Sequence, residues 1–227
     1  MRTLAIGDIH GCYTALIKLW EFVQPRPQDR VVFLGDYIDR GYDSQWVVEW
    51  LINNSKRRAD VYLRGNHEVM ILDGRDDLLN TNAWRSTEGY RTLLSYDCED
   101  DPKWAGKIPK AHWRFFEGTT PFYETERHIF VHGCIDPELD MSEQPDWMLY
   151  WETLDQMKPH RSGKTVVCGH TCQGSGRIKD VGFAICIDTG AAVRGWLTCL
   201  DIDSLEYWQV NEDGQRRGGR LRGMVEG

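Results

Sequence analysis

Aspartate, histidine and asparagine recur beside glycine in three short motifs within the first third of the chain. In order they are Gly7-Asp8-Ile9-His10-Gly11, Gly35-Asp36-Tyr37-Ile38-Asp39-Arg40-Gly41 and Arg64-Gly65-Asn66-His67-Glu68. Two separate histidines follow, in His132-Gly133 and Gly169-His170. One such motif alone is compatible with an ordinary hydrogen-bonded turn. A pattern of four fixed residues arises by chance in about one chain of this size in a thousand, and all three in order in roughly one in a billion. The set therefore indicates a functional site.

The residue types indicate a centre of two transition metals. Carboxylate, imidazole and amide ligands together suit Mn²⁺, Fe or Zn²⁺ better than Ca²⁺, which prefers oxygen ligands alone. Two metals about 3.5–4 Å apart can clamp the attacking and leaving oxygens of an in-line displacement. They also lower the pKa of a bound water, so that hydroxide is available at neutral pH. The glycines permit the tight turns that such ligands need.

Each motif follows a short apolar run that is typical of a β-strand. These runs cover residues 3–6, 31–34, 61–63, 129–131 and 165–168. Residues 14–24 carry apolar side chains at helical spacing, and residues 43–56 repeat the pattern. Alternating strands and helices predict an α/β fold, in which ligands bind beyond the carboxyl ends of the strands. The motifs occur in that position.

The rest of the chain is less regular. We expect short helices at residues 88–95 and 111–117, and a solvated acidic loop at residues 97–101 that could alternatively frame a substrate groove. Residues 183–187, 197–202 and 205–210 predict a meander of antiparallel strands. Residues 211–227 predict a tail or a late hairpin, because the basic run there is too short and interrupted for a binding arm.

The motifs resemble those of the calcineurin-like metallophosphoesterase superfamily. The Asp39-Arg40-Gly41 extension and Arg64-Gly65-Asn66-His67-Glu68 resemble its PPP branch of serine/threonine protein phosphatases, and the compact length resembles bacterial and phage members. The resemblance continues to about residue 202 through Ile187-Asp188-Thr189-Gly190-Ala191. It implies a single α/β domain over residues 1–227, built as a β-sandwich of two mixed sheets flanked by helices, with 211–227 as a tail or late hairpin.

The resemblance also implies which residues hold two divalent metal ions. The implied ligands are Asp8, His10, Asp36, Asn66, His132 and His170. Asp8 and His10 would bind the first metal, Asp36 would bridge both, and the other three would bind the second. We expect Mn²⁺ to support activity in vitro, with Fe and Zn²⁺ as alternatives.

The catalytic roles likewise come from the resemblance. His67 matches the general acid that protonates the leaving alkoxide, and Asp39 would orient it and raise its pKa. Arg40 would grip the phosphoryl oxygens, and Asn66 would also contact the substrate. Attack would be direct, by a metal-bridging hydroxide, without a phosphoenzyme.

One departure concerns a second phosphate-binding arginine. Bacterial and phage relatives often carry Trp-x-Arg between the two late histidines, and this chain has Trp151-Glu152-Thr153. Arg161, Arg177 or Arg194 could take its place, and Arg161 is our expected substrate-binding residue. We expect Arg64 to be a structural support and Cys134 to serve packing.

Three functions remain open at this point. The leading one is hydrolysis of phosphoserine and phosphothreonine in proteins, with phosphotyrosine as a further substrate. The alternative is a dinucleoside polyphosphate hydrolase acting on molecules such as diadenosine tetraphosphate. It needs an aromatic and basic nucleoside pocket, which the sequence does not assign from Trp84, Tyr90 or Trp113. A metal-binding scaffold without turnover is disfavoured, because every implied ligand is present.

Composition limits the partners and the compartment. The chain has 27 basic and 35 acidic residues, a formal charge of −8, which disfavours sequence-independent nucleic-acid binding. Seven cysteines without repeated C-x-x-C spacing indicate neither a disulfide framework nor a zinc ribbon, so we expect reduced thiols. The first motif begins at Gly7, too early for a signal peptide, and no apolar run is long enough to span a membrane. We expect a cytoplasmic monomer with a phosphorylated protein or small phosphoester as its substrate, and no nucleic-acid or membrane partner.

Overall fold

A computed structural model describes residues 1–221 as two mixed β-sheets with helices on their outer faces. The first sheet contains, in spatial order, β11 (Arg216–Arg220), β10 (Glu206–Val210), β9 (Leu197–Asp201), β1 (Thr3–Ile6), β2 (Arg30–Phe33) and β3 (Val61–Tyr62). The second contains β4 (Phe122–Glu124), β5 (His128–Val131), β6 (Thr165–Cys168), β8 (Ala184–Cys186) and β7 (Lys179–Asp180). Both sheets combine parallel and antiparallel pairs. The predicted fold class is confirmed.

Helices connect the strands and cover the sheets. They are α1 (Tyr13–Val23), α2 (Ser44–Ser55), α3 (Asn66–Asp76), α4 (Leu78–Trp84), α5 (Tyr90–Ser95), α6 (Lys110–Glu117) and α7 (Asp146–Trp151). A single π-helical turn, Arg85–Gly89, joins α4 to α5. Short 3₁₀ turns occur at Trp104–Gly106, Met141–Glu143, Leu154–Gln156 and Ala191–Val193. The helices predicted at 14–24 and 43–56 lie within about one residue of α1 and α2.

The core between the sheets explains the continuous apolar runs of the strands. Val32 of β2, Phe130 of β5 and Val167 of β6 are fully buried in one cluster that draws on both sheets. Neighbouring strand residues face the helices instead, as Phe33 does on the other side of β2. A strand buried on both faces has no polar alternation, so it appears in the sequence as an unbroken apolar run.

The parallel pairing of β1 with β2 brings the first two motifs together. Thr3 lies opposite Arg30 and Ile6 opposite Phe33, with α1 as the crossover connection. The carboxyl ends of both strands therefore meet at one edge of the sheet, where the motifs begin.

Two predictions about the later strands need correction. The predicted strand at 183–187 is β8, which pairs in parallel with β6 in the second sheet and does not join an antiparallel meander. A short buried apolar run looks the same in either pairing, so the sequence could not distinguish them. β9, β10 and β11 do form the antiparallel part, and β11 gives the late hairpin. Residues 222–227 of the predicted tail lie outside the described residues.

Two further predictions concern membrane-spanning segments and the state of the cysteines. Among residues 1–221, no helix has the length and apolar character needed to cross a membrane. All seven cysteines, each within this range, are free, and Cys172 alone among them is exposed. The predicted reduced thiols agree with this arrangement.

Candidate metal centre

His10 and Asp36 are positioned by the backbone that follows β1 and β2. The carbonyl of Asp36 accepts the N–H groups of Ile9 and His10 at 3.0 and 2.8 Å. This double contact fixes the two turns against each other. Among residues 1–221, nine non-glycine residues have positive φ, and five of them belong to the site: His10, Asp36, Asp39, Arg40 and His170. Concentrated backbone strain of this kind is typical of functional sites.

Histidine and aspartate side chains of the site form two adjoining groups that could each hold a metal ion, and both groups contain Asp36. His10, Asp36 and His67 form the first group, and Asp36, His132 and His170 form the second. Four of the six predicted ligands lie in these groups, and His67, the predicted general acid, lies in the first. Within each group the candidate ligand atoms lie within 4.8 Å of one another. A shared carboxylate between two histidine-containing groups suits a bridging ligand between two metals.

Hydrogen bonds orient each of the three histidine ligands. One ring nitrogen of each donates to a backbone carbonyl: His10 Nδ1 to Ile38 at 2.9 Å, His132 Nδ1 to Leu34 at 2.9 Å, and His170 Nε2 to Trp151 at 3.1 Å. The other nitrogen is thereby left as the acceptor and faces the carboxylate or amide of the site. Metal-binding histidines in proteins are oriented in the same way.

Asn66 lies between the two histidines of the second group. Its Oδ1 is 3.0 Å from Nε2 of His132 and 3.0 Å from Nδ1 of His170. These are the two nitrogens that the backbone contacts leave as acceptors. One amide oxygen and two imidazole nitrogens therefore converge on one point, which fits a metal ion.

Buried carboxylate oxygens provide a second test of whether metals fit. Among the described residues, Asp8 Oδ1 and Asp188 Oδ2 are the buried side-chain polar atoms without a hydrogen-bond partner. Asp8 is not a member of either group, but its Oδ2 accepts the N–H of His170 at 3.0 Å. Unpaired buried oxygens are costly, and a bound cation would stabilise them.

The protonation states of the metal-free site also suit metal binding. Burial, together with the positive charges of Arg40 and His67, lowers the pKa of His10 to about 3. Burial likewise lowers the pKa of His132 to about 4. Burial and the charges of Asp188 and Asp36 raise the pKa of Asp8 well above its usual range. Neutral imidazoles are ready ligands, and a cation would favour the ionised carboxylate.

His67 and Asp39 form the predicted acid pair at the edge of the first group. Nδ1 of His67 lies 2.7 Å from Oδ2 of Asp39, and both side chains are buried. Burial lowers the pKa of His67, but the Asp36 charge and the hydrogen bond that His67 donates to Asp39 outweigh it and raise that pKa to about 9. A protonated His67 has the Nε2 proton that a general acid must donate.

The sequence pattern did not reveal the residues that hold Asp39. Trp84 donates its indole N–H to Oδ2 of Asp39 at 2.8 Å, and Thr92 donates its hydroxyl to Oδ1. Both come from the α4–π–α5 segment, and π-helical turns are frequent at functional sites. Neither residue type nor spacing marks Trp84 or Thr92 in the sequence, because the π-turn that aligns them has no distinct periodicity.

Glu68 is a second residue whose role the motif left unassigned. It is fully buried, and its carboxylate accepts the N–H groups of Asp36 at 2.8 Å, Tyr37 at 2.9 Å and Gly65 at 3.0 Å. Glu68 therefore ties the second and third motifs together. Gly65 has no room for a side chain, since a Cβ there would overlap Oδ1 of Asp36 and lie 2.6 Å from its nitrogen.

The structure brings Arg40 into the site. Its Nη1 is 3.0 Å from Nε2 of His10, and its Nε pairs with Glu88 at 3.2 Å. Arg91, which the sequence analysis did not single out, donates to the backbone carbonyl of Arg40. Arg40, Arg91 and Arg194 line one cavity of about 590 Å³.

The expected substrate contact from Arg161 is not supported. Its guanidinium is half-exposed and pairs with Asp140 on the surface. Its backbone N–H donates to the carbonyl of Pro137 at 2.9 Å, and it does not line the cavity that contains Arg40. Of the three arginines considered as replacements, Arg194 is the one that shares this cavity.

The remaining two expectations concern supporting residues. Arg64 donates to the hydroxyl of Thr119 at 2.9 Å and to the carbonyl of Glu117 at 3.0 Å, so it caps the end of α6. The predicted structural role agrees with these contacts. Cys134 is fully buried in the core of the second sheet, as packing requires.

Two sheets with aspartate, histidine and asparagine side chains gathered at the strand ends form the arrangement that a two-metal hydrolase requires. The model of the calcineurin-like phosphoesterase family matches residues 1–177. This match covers most of the chain, and the chain belongs to that family. Enzymes of this family depend on divalent metals.

Relatives with different named substrates resemble the chain over nearly its whole length. The asymmetrical bis(5′-nucleosyl)-tetraphosphatase PrpE of Geobacillus sp. (strain WCH70) is 26% identical over 240 residues, covering 92% of this chain and 94% of the relative. A solved structure of a candidate diadenosine tetraphosphatase has a TM-score of 0.66 at 21% identity, covering 98% and 95% of the two chains. A serine/threonine phosphatase from Saccharomyces cerevisiae has a TM-score of 0.63 at 15% identity, covering 100% and 82%. The two structural likenesses show the shared fold.

Proposed function

We propose that this chain hydrolyses dinucleoside polyphosphates at a two-metal centre. The observation that carries the proposal is the cavity beside the centre, which Arg40, Arg91 and Arg194 line together. Arg40 connects this cavity to the proposed metal centre, since its guanidinium also contacts His10. Three guanidinium groups suit a chain of consecutive phosphates, whereas one phosphoryl group needs only one or two.

The similarity to PrpE supports the same choice. It extends over 92% of this chain and 94% of a relative named as an asymmetrical bis(5′-nucleosyl)-tetraphosphatase. Together with the arginine-lined cavity, it reverses the order of the two substrate classes that the motifs alone suggested. The missing Trp-x-Arg arginine also fits this order, because Arg194 and Arg91 reach the cavity from different elements.

The ligands proposed to hold the metals are Asp8, His10, Asp36, Asn66, His132 and His170. When bound, the two divalent ions would supply Lewis acidity and lower the pKa of the attacking water. Hydrolysis forms a bond between a water oxygen and phosphorus and breaks the bond between that phosphorus and a bridging oxygen. Arg40 holds the non-bridging oxygens of the phosphoryl group during this step.

His67 controls the proton on the leaving side. Its Nδ1–H remains hydrogen-bonded to the Asp39 carboxylate, so Nε2 is the nitrogen that delivers a proton to the departing oxygen. Burial excludes bulk water from this pair, since Asp39 is fully buried and His67 is 1% exposed. The pair therefore keeps one orientation through the reaction.

The same acid pair supports a second candidate, hydrolysis of phosphoserine or phosphothreonine in proteins, with phosphotyrosine as a further substrate. An alkoxide is a poor leaving group and needs a proton from a general acid, whereas a departing polyphosphate is already a stable anion. A buried His67–Asp39 pair is thus more important for a phosphomonoester of an aliphatic alcohol.

Direct competition tests the proposal. The protein is stripped with a chelator and restored with Mn²⁺, and kcat/KM is then measured on diadenosine tetraphosphate and on a phosphothreonine peptide. The proposal predicts a higher value for the dinucleotide and products of ATP and AMP. A higher value for the peptide would reject it in favour of the second candidate.

A further inference from the structure

Two cavities meet at Arg40 and Arg91. The first, of about 590 Å³, also includes Tyr42 and Arg194. The second, of about 440 Å³, includes Tyr90. Arg40 and Arg91 belong to the lining of both, so the two cavities form arms on either side of a basic centre.

Each arm presents one exposed tyrosine ring. Tyr42 is 62% exposed and Tyr90 is 51% exposed, although large aromatic side chains are usually mostly buried. The guanidinium of Arg91 lies over the ring of Tyr42, 4.4 Å from its centroid, and its Nη1 donates to the carbonyl of Arg40. Arg91 therefore fixes the first ring in place, and a fixed exposed ring is suited to stack against a heteroaromatic base.

The first arm is also lined by acidic residues. Asp43, Glu212 and Asp213 line it, and Oε1 of Glu212 is fixed by the N–H of Ala15 at 2.9 Å. Carboxylates of this kind accept hydrogen bonds from ribose hydroxyls in nucleotide sites. The arm thus combines a basic end for phosphate, an aromatic ring for a base and carboxylates for a sugar.

We propose that the two arms bind the two nucleosides of one dinucleoside polyphosphate, with one base against Tyr42 and the other against Tyr90. The phosphate chain lies along Arg40 and Arg91, which puts part of it beside the proposed metal ligand His10. A phosphopeptide has one phosphate and no nucleobase, so it would not need two aromatic arms. This inference rests on the proposed function and names the residues that recognise its substrate.

Calorimetric binding of an uncleavable substrate tests the arms without turnover. The probe is diadenosine tetraphosphate with methylene groups in place of its bridging oxygens, added to the Mn²⁺-loaded protein. We expect Tyr42→Leu and Tyr90→Leu each to raise Kd about tenfold, within the range measured for losing one base–aromatic stack. Tyr42→Phe and Tyr90→Phe keep the ring, so their Kd should stay within about twofold of wild type.

Leu79→Ala is the surface control, because Leu79 is 79% exposed on α4 and lines neither arm. Loss of affinity in both leucine variants, with the phenylalanine variants and Leu79→Ala unchanged, supports the two-arm site. No binding to wild type, equal binding to the leucine variants, or an effect at one tyrosine only would overturn it. Failure of the proposed function appears separately, as faster hydrolysis of the phosphothreonine peptide, because this assay measures binding of the dinucleotide alone.

Discussion

The indole nitrogen of Trp84 lies 2.8 Å from Oδ2 of Asp39, and Nδ1 of His67 lies 2.7 Å from the same oxygen. One carboxylate oxygen therefore accepts from both the general acid candidate and a buried tryptophan. Trp84 is 2% exposed, and its ring also packs against Gly89 of the π-turn. The indole restricts where the Asp39 carboxylate can sit, and this in turn restricts His67.

We predict that Trp84→Phe impairs substrates with poor leaving groups more than those with good ones. Phenylalanine keeps most of the packing but cannot donate to Asp39, so the acid pair loses its fixed orientation. General acid catalysis contributes about 10²–10⁴ in rate, and we expect the variant to lose about tenfold of it. The measurement is kcat on a phosphoserine peptide and on 4-nitrophenyl phosphate, where the second should change about twofold or less.

Trp104→Phe is the matched control for this prediction. Trp104 is buried against Trp84, with ring centroids 5.4 Å apart. Its replacement by phenylalanine causes a similar loss of packing but removes no hydrogen bond to Asp39. If Trp84→Phe and Trp104→Phe lowered kcat on both substrates by the same factor, the role of Trp84 would be packing alone.

We predict that Asp36 is needed to bind both metal ions, whereas His132 is needed to bind one. Asp36 is the member shared by both ligand groups, while His132 belongs only to the second. Asp36→Asn should therefore reduce bound Mn²⁺ from about two ions per chain to below one. His132→Gln should leave about one ion. Elemental analysis after dialysis measures both, and equal losses in the two variants would contradict the shared position of Asp36.

A methyl group at residue 65 should disrupt the site, because the neighbouring backbone cannot move away from it. A Cβ on Gly65 would lie 2.6 Å from the backbone nitrogen of Asp36, which cannot rotate away as a side chain could. Gly65→Ala should lower both metal content and the melting temperature. Gly174→Ala is the control, since no atom lies within 4 Å of a Cβ at that position. Normal metal content in Gly65→Ala would show that the close approach is not needed.

Stability at acidic pH should depend on Asp29. Asp29 is buried, which raises its pKa, but hydrogen bonds and the charge from Arg2, with a further N–H from Arg26, lower that pKa to about 2. An unfolded aspartate titrates near 3.9, so the ionised Asp29 stabilises the fold above about pH 4, and this contribution is lost as pH falls toward 2.

The free energy of unfolding in urea, measured for wild type and Asp29→Asn, checks this dependence. The difference between the two proteins should be largest near pH 6 and should shrink between pH 5 and pH 3. A difference that stays constant across this range would mean that Asp29 acts through packing and not through its charge.

The sequence pointed to the residues proposed to carry the chemistry, but it did not predict all the strands and side chains that position them. Strands β1 and β2 and their motifs were predictable, because three motifs in order, each after a short apolar run, are very rare by chance. The parallel pairing of β8 was not, because strand partners are chosen by contacts between segments far apart in sequence. The surface pairing of Arg161 with Asp140 was not predictable for the same reason, because these residues lie far apart in sequence.

The residues that the sequence missed act through long-range contacts. Trp84 and Thr92 reach Asp39 from about 45 and 53 positions away, and Arg91 meets Tyr42 only because α5 packs beside the second motif. A π-turn changes the register of a helix by a fraction of a turn, and no residue pattern marks it. Such contacts depend on tertiary packing, so single-sequence periodicity does not predict them.

The measurement that tests the central claim most directly is the return of activity with metal. The protein is stripped with a chelator, Mn²⁺ is titrated back, and hydrolysis of diadenosine tetraphosphate is followed beside the Asp36→Asn variant. We predict no hydrolysis without metal, full activity at about two ions per chain, and little recovery in the variant. Hydrolysis that survives complete removal of metal, or equal recovery in Asp36→Asn, would contradict a two-metal centre built on Asp36.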